Sequence, residues 1–504
     1  METILEAKQV SKSFVGVQAL KDITIQIKQG EIHCLAGENG CGKSTLVKCF
    51  SGVYVPDGGK IIVNGKNYDQ LTPTQAMREG IQVIYQDLSL FPHLTVEENI
   101  AIGKLKNEKA GLLDWRRVRK IAKEHLNRIG VQLDLEQPVE EISMANRQIV
   151  AICRALAQEC KILFMDEPTT ALTKTEVDRL LNIMVELKKR GMSIVFISHK
   201  LDEVFSVADV ITIFRNGEKI GDFKSEELDK KSLSYYMTGR EVEYPRYERK
   251  TKNDTPVLEV EHLTRNGQFQ DISFSLRSGD ILGVTGLLGA GRTELALSLF
   301  GLNPSHSGIV KVEGKECKIT SPIAAKKYGI ALLPEDRSVQ GLFMNRMIME
   351  NISSAIIKRL VRKGRLDKKE ERKTARQFIQ KLKVRTPSEE TIIGTLSGGN
   401  QQKAVIGKWL ATQPKIFIMD TPTVGIDIGS KAEIYEQIHR LAEEGMAIIL
   451  ISDEVQEILA NCNRVMILAD GKCSCMLEEE DLREKSESEM EALIGQQKRK
   501  EAIV

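Results

Sequence analysis

Short runs of consecutive apolar residues, each preceded by a stretch with helical periodicity, recur along the chain. Ile194-Val195-Phe196-Ile197 follows the helical stretch Glu176 to Arg190, and Ala447-Ile448-Ile449-Leu450-Ile451 follows Lys431 to Glu444. An apolar run too short for a helix and without polar alternation predicts a strand buried on both faces, so these runs predict a parallel sheet covered by helices on either side. Glu31-Ile32-His33-Cys34-Leu35-Ala36 and Lys161-Ile162-Leu163-Phe164-Met165-Asp166 are of the same kind. The intervening segment, about 87–159, is more polar and includes Trp115-Arg116-Arg117-Val118-Arg119-Lys120, which predicts a helical insert. No apolar run reaches the ~18 residues of a membrane span, and Met1-Glu2-Thr3-Ile4 opens directly into a strand-like run. The expectation is a chain that neither spans nor crosses a membrane by a visible signal.

The pattern is written twice. Gly37-Glu38-Asn39-Gly40-Cys41-Gly42-Lys43-Ser44-Thr45 recurs 249 positions on as Gly286-Leu287-Leu288-Gly289-Ala290-Gly291-Arg292-Thr293-Glu294. Asp166 and its strand recur 254 positions on, at Lys415-Ile416-Phe417-Ile418-Met419-Asp420, and Ser143 and Ser198 recur at the same spacing as Ser397 and Ser452. Landmarks in one order at near-constant spacing mark a tandem duplication. The predicted division is 1–240 for the first copy, a polar linker at 241–255, and 256–504 for the second, whose insert covers about 336–413. Within that insert Lys358-Arg359-Leu360-Val361-Arg362-Lys363 opens a basic region running to Lys383, read as a solvated helix face rather than a lipid or nucleic-acid patch.

Length and composition sharpen this. The 504 residues suggest three or four domains at about 150 residues each, and the duplication turns that into two units of about 250. With 41% hydrophobic and 28% charged residues, wholesale disorder is excluded. Seventy-two basic against 70 acidic side chains leave +2, so no overall field draws the chain to nucleic acid or anionic lipid. Nine scattered cysteines, of which only Cys473 and Cys475 lie close together, form neither a disulfide framework nor a zinc cluster, and read as free thiols in a reducing compartment.

The first copy carries a complete set of phosphate chemistry. Gly37-x4-Gly42-Lys43-Ser44 lies between an apolar strand and the helical Leu46-Val47-Lys48. In that setting backbone N–H groups wrap an anion at a helix N-terminus, Lys43 reaches the β and γ phosphates, and Ser44 offers a hydroxyl to Mg²⁺. Asp166, at the carboxyl end of its strand, is placed to associate with Mg²⁺, and Glu167 to orient or deprotonate an attacking water. His199 follows the strand ending at Ser198 and is a candidate for holding the γ-phosphate and that water.

Together with Gln86 after an apolar strand, Leu396-Ser397-Gly398-Gly399-Asn400-Gln401-Gln402, Asp166-Glu167-Pro168-Thr169 and Ser198-His199, these motifs resemble the ATP-binding cassette family over nearly the whole chain. The paired cassettes, with Leu333-Pro334-Glu335-Asp336-Arg337 in the second, resemble the energising subunit of bacterial monosaccharide importers of the ribose, galactose, xylose and autoinducer-2 type. The resemblance implies an α/β fold of two tandem P-loop NTPase cassettes, each a mainly parallel sheet with an antiparallel β edge and a helical insert. It implies ATP and Mg²⁺ as cofactors, with Ser44, Gln86 and Asp166 on the metal and Glu167, His199 and Gln86 catalytic. It places residues 37–45 and Ser397, Gly398, Gly399 and Asn400 on nucleotide. Phe14 stands where cassettes place an aromatic against adenine, and an ordinary strand phenylalanine fits that position too. Gln86 and the segment Asp87 to His93 match the part that touches a permease.

The copies differ where chemistry is done. Lys43 becomes Arg292, Gln86 becomes Glu335, Glu167 becomes Thr421 and His199 becomes Asp453, while Ser44 and Asp166 keep counterparts in Thr293 and Asp420. Thr421 departs from the Asp-Glu-Pro-Thr usual in the family. In the other direction, Ser397-Gly398-Gly399 is intact and its first-copy counterpart reads Ser143-Met144-Ala145. The resemblance implies head-to-tail pairing of the two cassettes within the chain, which puts the competent parts in one composite site. Gly286, Gly291, Arg292, Thr293, Asp420 and Thr421 then belong to a degenerate second one. It further implies membrane-spanning permease subunits and an extracytoplasmic solute-binding protein as partners, no nucleic acid, and a peripheral position on the cytoplasmic face of the cell membrane. A soluble tandem cassette acting on ribosomes is the competing expectation, and such proteins usually keep both signatures and both catalytic acids and carry a long charged linker.

Overall fold

The computed structural model describes residues 2–14, 16–105, 114–169, 172, 174–198, 200–239, 246–250, 253–287 and 289–496. The chain forms two compact units, Met1–Val242 and Glu243–Val504.

In the first unit six strands form one sheet in the order Glu218–Lys224, Val210–Arg215, Ile32–Gly37, Ser193–Ile197, Ile162–Asp166, Ile81–Ile84. All neighbours run parallel except the edge strand Glu218–Lys224, which pairs antiparallel with Val210–Arg215. Every residue of Ile32–Gly37 is buried, because this central strand has a partner on both sides and helices on both faces. Phe164 lies in the next strand but one with its ring 5.7 Å from that of Phe50 on the helix Lys43–Phe50, so strand and helix share a core. A four-stranded antiparallel sheet, Val17–Lys28, Thr3–Phe14, Gly58–Val63, Lys66–Tyr68, completes the unit's β structure. The insert carries the helices Val96–Leu105, Trp115–Arg128 and Met144–Ala157. Asp114 starts the second of these by accepting from the amides of Arg116 and Arg117.

The second unit repeats the strand order: Ile330–Leu333, Ile416–Asp420, Ala447–Ile451, Ile281–Gly286, Arg464–Ala469, Lys472–Leu477. The strand Ala447–Ile451 has the bounds its apolar run predicts, and the helix before it, Ile428–Glu443, begins three residues earlier than expected because Asp427 caps it through the amide of Ser430. Its insert holds Ile348–Ser353, Lys368–Lys381 and Gly398–Leu410. The basic run at Lys358 is not one helix face. The helix Ile357–Leu360 ends there, and Val361–Arg362 turns back through a left-handed Lys363 and Gly364 onto Arg365–Leu366.

The expected linker also differs. Residues 241–245 and 251–252 lie outside the described residues, and Arg246 to Lys250 pack into the second unit. Tyr247 is buried, its amide donating to Ala460 O and its hydroxyl to Gly279 O, both at 2.8 Å. One aromatic ring in a polar stretch found a core to enter. Among the described residues no helix is long and apolar enough to cross a membrane.

Candidate functional site

In the first unit the strand Ile32–Gly37 delivers the chain into the glycine-rich loop, and the loop ends at Gly42, the residue before the helix Lys43–Phe50. Gly42 has φ 107°, and a Cβ there would lie 2.4 Å from the carbonyl oxygen of Ala19, so only glycine closes this turn. Its counterpart Gly291 has φ 93° and the same restriction against Gln268 O at 2.6 Å. Lys43 is buried, with its ammonium donating to the carbonyls of Gly37 at 2.8 Å and Glu38 at 2.9 Å. The loop thus encloses a cation that carries no carboxylate partner among these bonds, an arrangement suited to an incoming anion.

Asp166 closes the neighbouring strand and hydrogen-bonds with the Ser44 hydroxyl. Burial pushes its carboxyl up, and the Ser44 bond and the Lys43 charge act against that rise. Two oxygen donors meeting at the end of a buried strand, one of them a desolvated carboxylate, fit a hard divalent cation. Gln86 stands beside Glu167: its Nε2 lies 3.5 Å from Oε2, at the edge of hydrogen-bonding distance. Glu167 has φ 48° and donates its amide to Ile197 O at 3.1 Å, so the residue after Asp166 is held in the left-handed region by the next strand. Such a conformation costs about 1–3 kcal/mol and concentrates at sites of function. His199 lies outside the described residues. Phe14 is 42% exposed, with Tyr54 edge-on at 5.2 Å and the Lys12 ammonium 5.7 Å from its ring, and it is not a core residue.

Sequence reading missed Glu203. Its buried carboxylate accepts from Thr169 at 2.6 Å and Ser198 at 3.2 Å, and Lys200 stands 3.2 Å away. It fastens the loop after Asp166 to the end of the adjacent strand, one residue beyond Ile197, on whose carbonyl the Glu167 amide rests. Glu457, again 254 positions on, accepts from Thr423 at 2.8 Å and Ser452 at 2.7 Å. That shared offset was the available signal.

The second loop has the same frame and different chemistry. Gly286 ends its strand, Thr293 hydrogen-bonds Asp420, and Thr421 has φ 42° with its amide on Ile451 O at 2.9 Å. Arg292, unlike Lys43, leaves its own loop and forms an ion pair with Asp453. Burial pushes Asp420 up to about 6, with Glu335 and Asp453 adding to the rise and Thr293 and Arg292 opposing it. A threonine replaces the strand-following carboxylate, and its hydroxyl lies 3.5 Å from Asp420.

The two signature serines are also used differently. Ser143 caps the helix Met144–Ala157 by accepting from the Asn146 amide at 3.3 Å. Ser397, before the helix Gly398–Leu410, makes no such cap, and its hydroxyl accepts from Asn400 Nδ2 at 2.9 Å. Asn400 is in turn held by the Arg385 amide at 2.8 Å.

A sequence profile described as ABC transporter matches residues 20–170 and again 269–424. The chain belongs to the ABC transporter family. Both matched cassettes contain a phosphate loop and the strand-ending aspartate, and the chain is an ATP-binding cassette ATPase that serves as an energy-coupling subunit. It is 43% identical over 94% of its length, and 90% of the relative's, to a putative ribose/galactose/methyl galactoside import ATP-binding protein of Pseudomonas syringae pv. syringae. It is 41% identical to one of the same name from Hahella chejuensis, over 95% of this cassette pair and 93% of that protein. The ribose import ATP-binding protein RbsA 1 of Rubrobacter xylanophilus is 41% identical, over 95% and 96% respectively.

Proposed function

We propose that the chain powers import of a monosaccharide or related sugar-like solute, with ATP hydrolysed at one composite site and a degenerate second site. The observation that carries the asymmetry is the pair of residues after the two strand-ending aspartates: Glu167 in one copy, Thr421 in the other, on the same left-handed backbone. The names of the relatives support the solute class. In the working site Lys43 and the amides of residues 37–45 bind the phosphates. Ser44 and Asp166 are the oxygen donors for Mg²⁺, which when bound supplies neutralising charge at the β and γ phosphates. Glu167 takes the proton of the attacking water, its backbone fixed by Ile197 and its side chain within reach of Gln86; His199 holds the γ-phosphate. Ser397, Gly398, Gly399 and Asn400 complete the site through head-to-tail pairing of the cassettes. The second site binds nucleotide weakly or holds it without turnover, because a threonine hydroxyl is no base near neutral pH and Arg292 is engaged by Asp453. Membrane-spanning permease subunits, and a solute-binding protein outside the membrane, are the partners of such a motor, which docks on the cytoplasmic face.

Glu167→Gln lowers steady-state ATPase activity by about 10²–10⁴-fold, the usual contribution of a general base, while Thr421→Ala leaves it within about twofold. An active Glu167→Gln protein, or an inactive Thr421→Ala protein, overturns the assignment.

A further inference from the structure

Within the Leu333-Pro334-Glu335-Asp336-Arg337 motif, Arg337 is the residue that bonds across the second unit. Asp336 starts a single π-helical turn, Arg337–Gly341, by accepting from the amides of Ser338 at 2.9 Å and Val339 at 3.0 Å. That fixes Arg337 at the head of the turn. Its Nη1 donates to Val424 O at 2.7 Å, Nη2 to Gly425 O at 3.4 Å, and Nε to Gln401 Oε1 at 3.5 Å. Gln401 itself donates to Leu396 O at 3.0 Å. Three segments therefore converge on one planar cation: the turn after Glu335, the start of the signature helix Gly398–Leu410, and the turn that follows Asp420 and Thr421.

The fit is close. A Cβ on Gly398 would lie 2.7 Å from Arg337 Nη2 and 3.0 Å from Gly425 O, so the guanidinium occupies the space that a side chain at Gly398 needs. At the other end of the same helix Lys408 donates to Gly341 O at 2.9 Å, so the π turn is fastened along the helix twice. The first copy lacks the arginine and the glycine together: Leu88 stands in place of Arg337 and Met144 in place of Gly398, while Arg154, the counterpart of Lys408, still holds the carbonyls of Leu88 at 2.9 Å and Ser89 at 2.7 Å.

We infer that Arg337 is a positioning residue for ATP turnover, holding the Ser397-Gly398-Gly399 turn in register with the 335–341 and 424–425 segments so that the signature meets nucleotide in one geometry. The inference rests on the proposed role of that signature in the hydrolytic site. A guanidinium suits the task because its fork addresses several carbonyl oxygens at fixed angles, which a lysine ammonium cannot reproduce.

The test uses the full chain and four variants: Arg337→Leu, Arg337→Lys, Gly398→Ala and the Arg337→Lys/Gly398→Ala double variant. Steady-state kcat and KM for ATP, the affinity of the Lys43 loop for a fluorescent ATP analogue, and the thermal midpoint are measured on each. Arg337→Leu is expected to lower kcat about 10–100-fold, the scale of a misplaced binding group, with analogue affinity unchanged within about twofold. Arg337→Lys recovers part of that loss. Gly398→Ala costs less in the Arg337→Lys background than alone, since the clashing Nη2 has gone. If Arg337→Leu keeps kcat within twofold while Glu167→Gln abolishes turnover, the inference is wrong and the proposed function stands. If Arg337→Leu fails to fold, the double-mutant cycle between the Arg337→Lys and Gly398→Ala substitutions decides, and additive losses overturn the inference. An active Glu167→Gln protein removes the proposed function and this inference with it.

Discussion

Asp420→Asn should stabilise the second unit, by an amount that grows as the pH rises from acidic to neutral. Asp420 is 3% exposed, and burial raises its carboxyl from 3.8 to about 6, with Glu335 and Asp453 contributing in the same direction. A raised carboxyl pKa means that the folded unit binds the proton more tightly than the unfolded chain does, so ionisation weakens the fold. Stability is full below the unfolded value near pH 4 and declines as pH rises through about 6. The rise from 3.8 to about 6 corresponds to roughly 3 kcal/mol at about pH 8, roughly half of that at about pH 5, and little at about pH 4. Asparagine keeps the side chain's shape and can still accept from Thr293, but carries no charge to desolvate. For a unit of this size the gain reads as about 6–12 °C in the thermal transition near pH 8. Differential scanning calorimetry of the nucleotide-free full chain, wild type against variant, gives the difference at each pH. An equal difference at pH 5 and pH 8, or a variant less stable than wild type at pH 8, refutes the reasoning.

Two further changes probe the frame. Glu203→Ala releases Thr169 and Ser198 together and leaves two buried hydroxyls unsatisfied, at about 1–3 kcal/mol each; ATPase kcat should fall at least tenfold with nucleotide affinity kept, a split that stopped-flow binding and steady-state assays resolve. Phe164→Ala removes a fully buried ring stacked on Phe50 and should cost about 3–5 kcal/mol of first-unit stability, read from the urea midpoint; a loss under about 1 kcal/mol would mean that the strand and helix do not share the core described.

Much of the sheet was legible because doubly covered strands leave uninterrupted apolar runs, as at Ala447–Ile451. The phosphate loop was legible because its conformation demands glycines at set places and its strand–loop–helix context is short range. What escaped depends on who meets whom in three dimensions. Nothing local tells that the Glu203 carboxylate is buried between two hydroxyls while its neighbour Asp202 is solvated. Tyr247 looked like part of a polar connection because the groove that takes it is built from residues more than 30 positions away. The hairpin within the basic run was hidden by charge: Val361 and Arg362 are both exposed, so no periodicity marks them.

Glu167 and Thr421 share a strained backbone although only one of them has a carboxylate. The strain is therefore a property of the strand-to-loop junction, held by Ile197 O in one copy and Ile451 O in the other, whichever side chain stands there. Restoring a base to the second copy would need no rebuilding of the main chain, since a glutamate introduced by Thr421→Glu would inherit the conformation already there. Under the proposed assignment the two cassettes are then separated by side chains, Arg292 and Asp453 among them, and not by the course of the main chain.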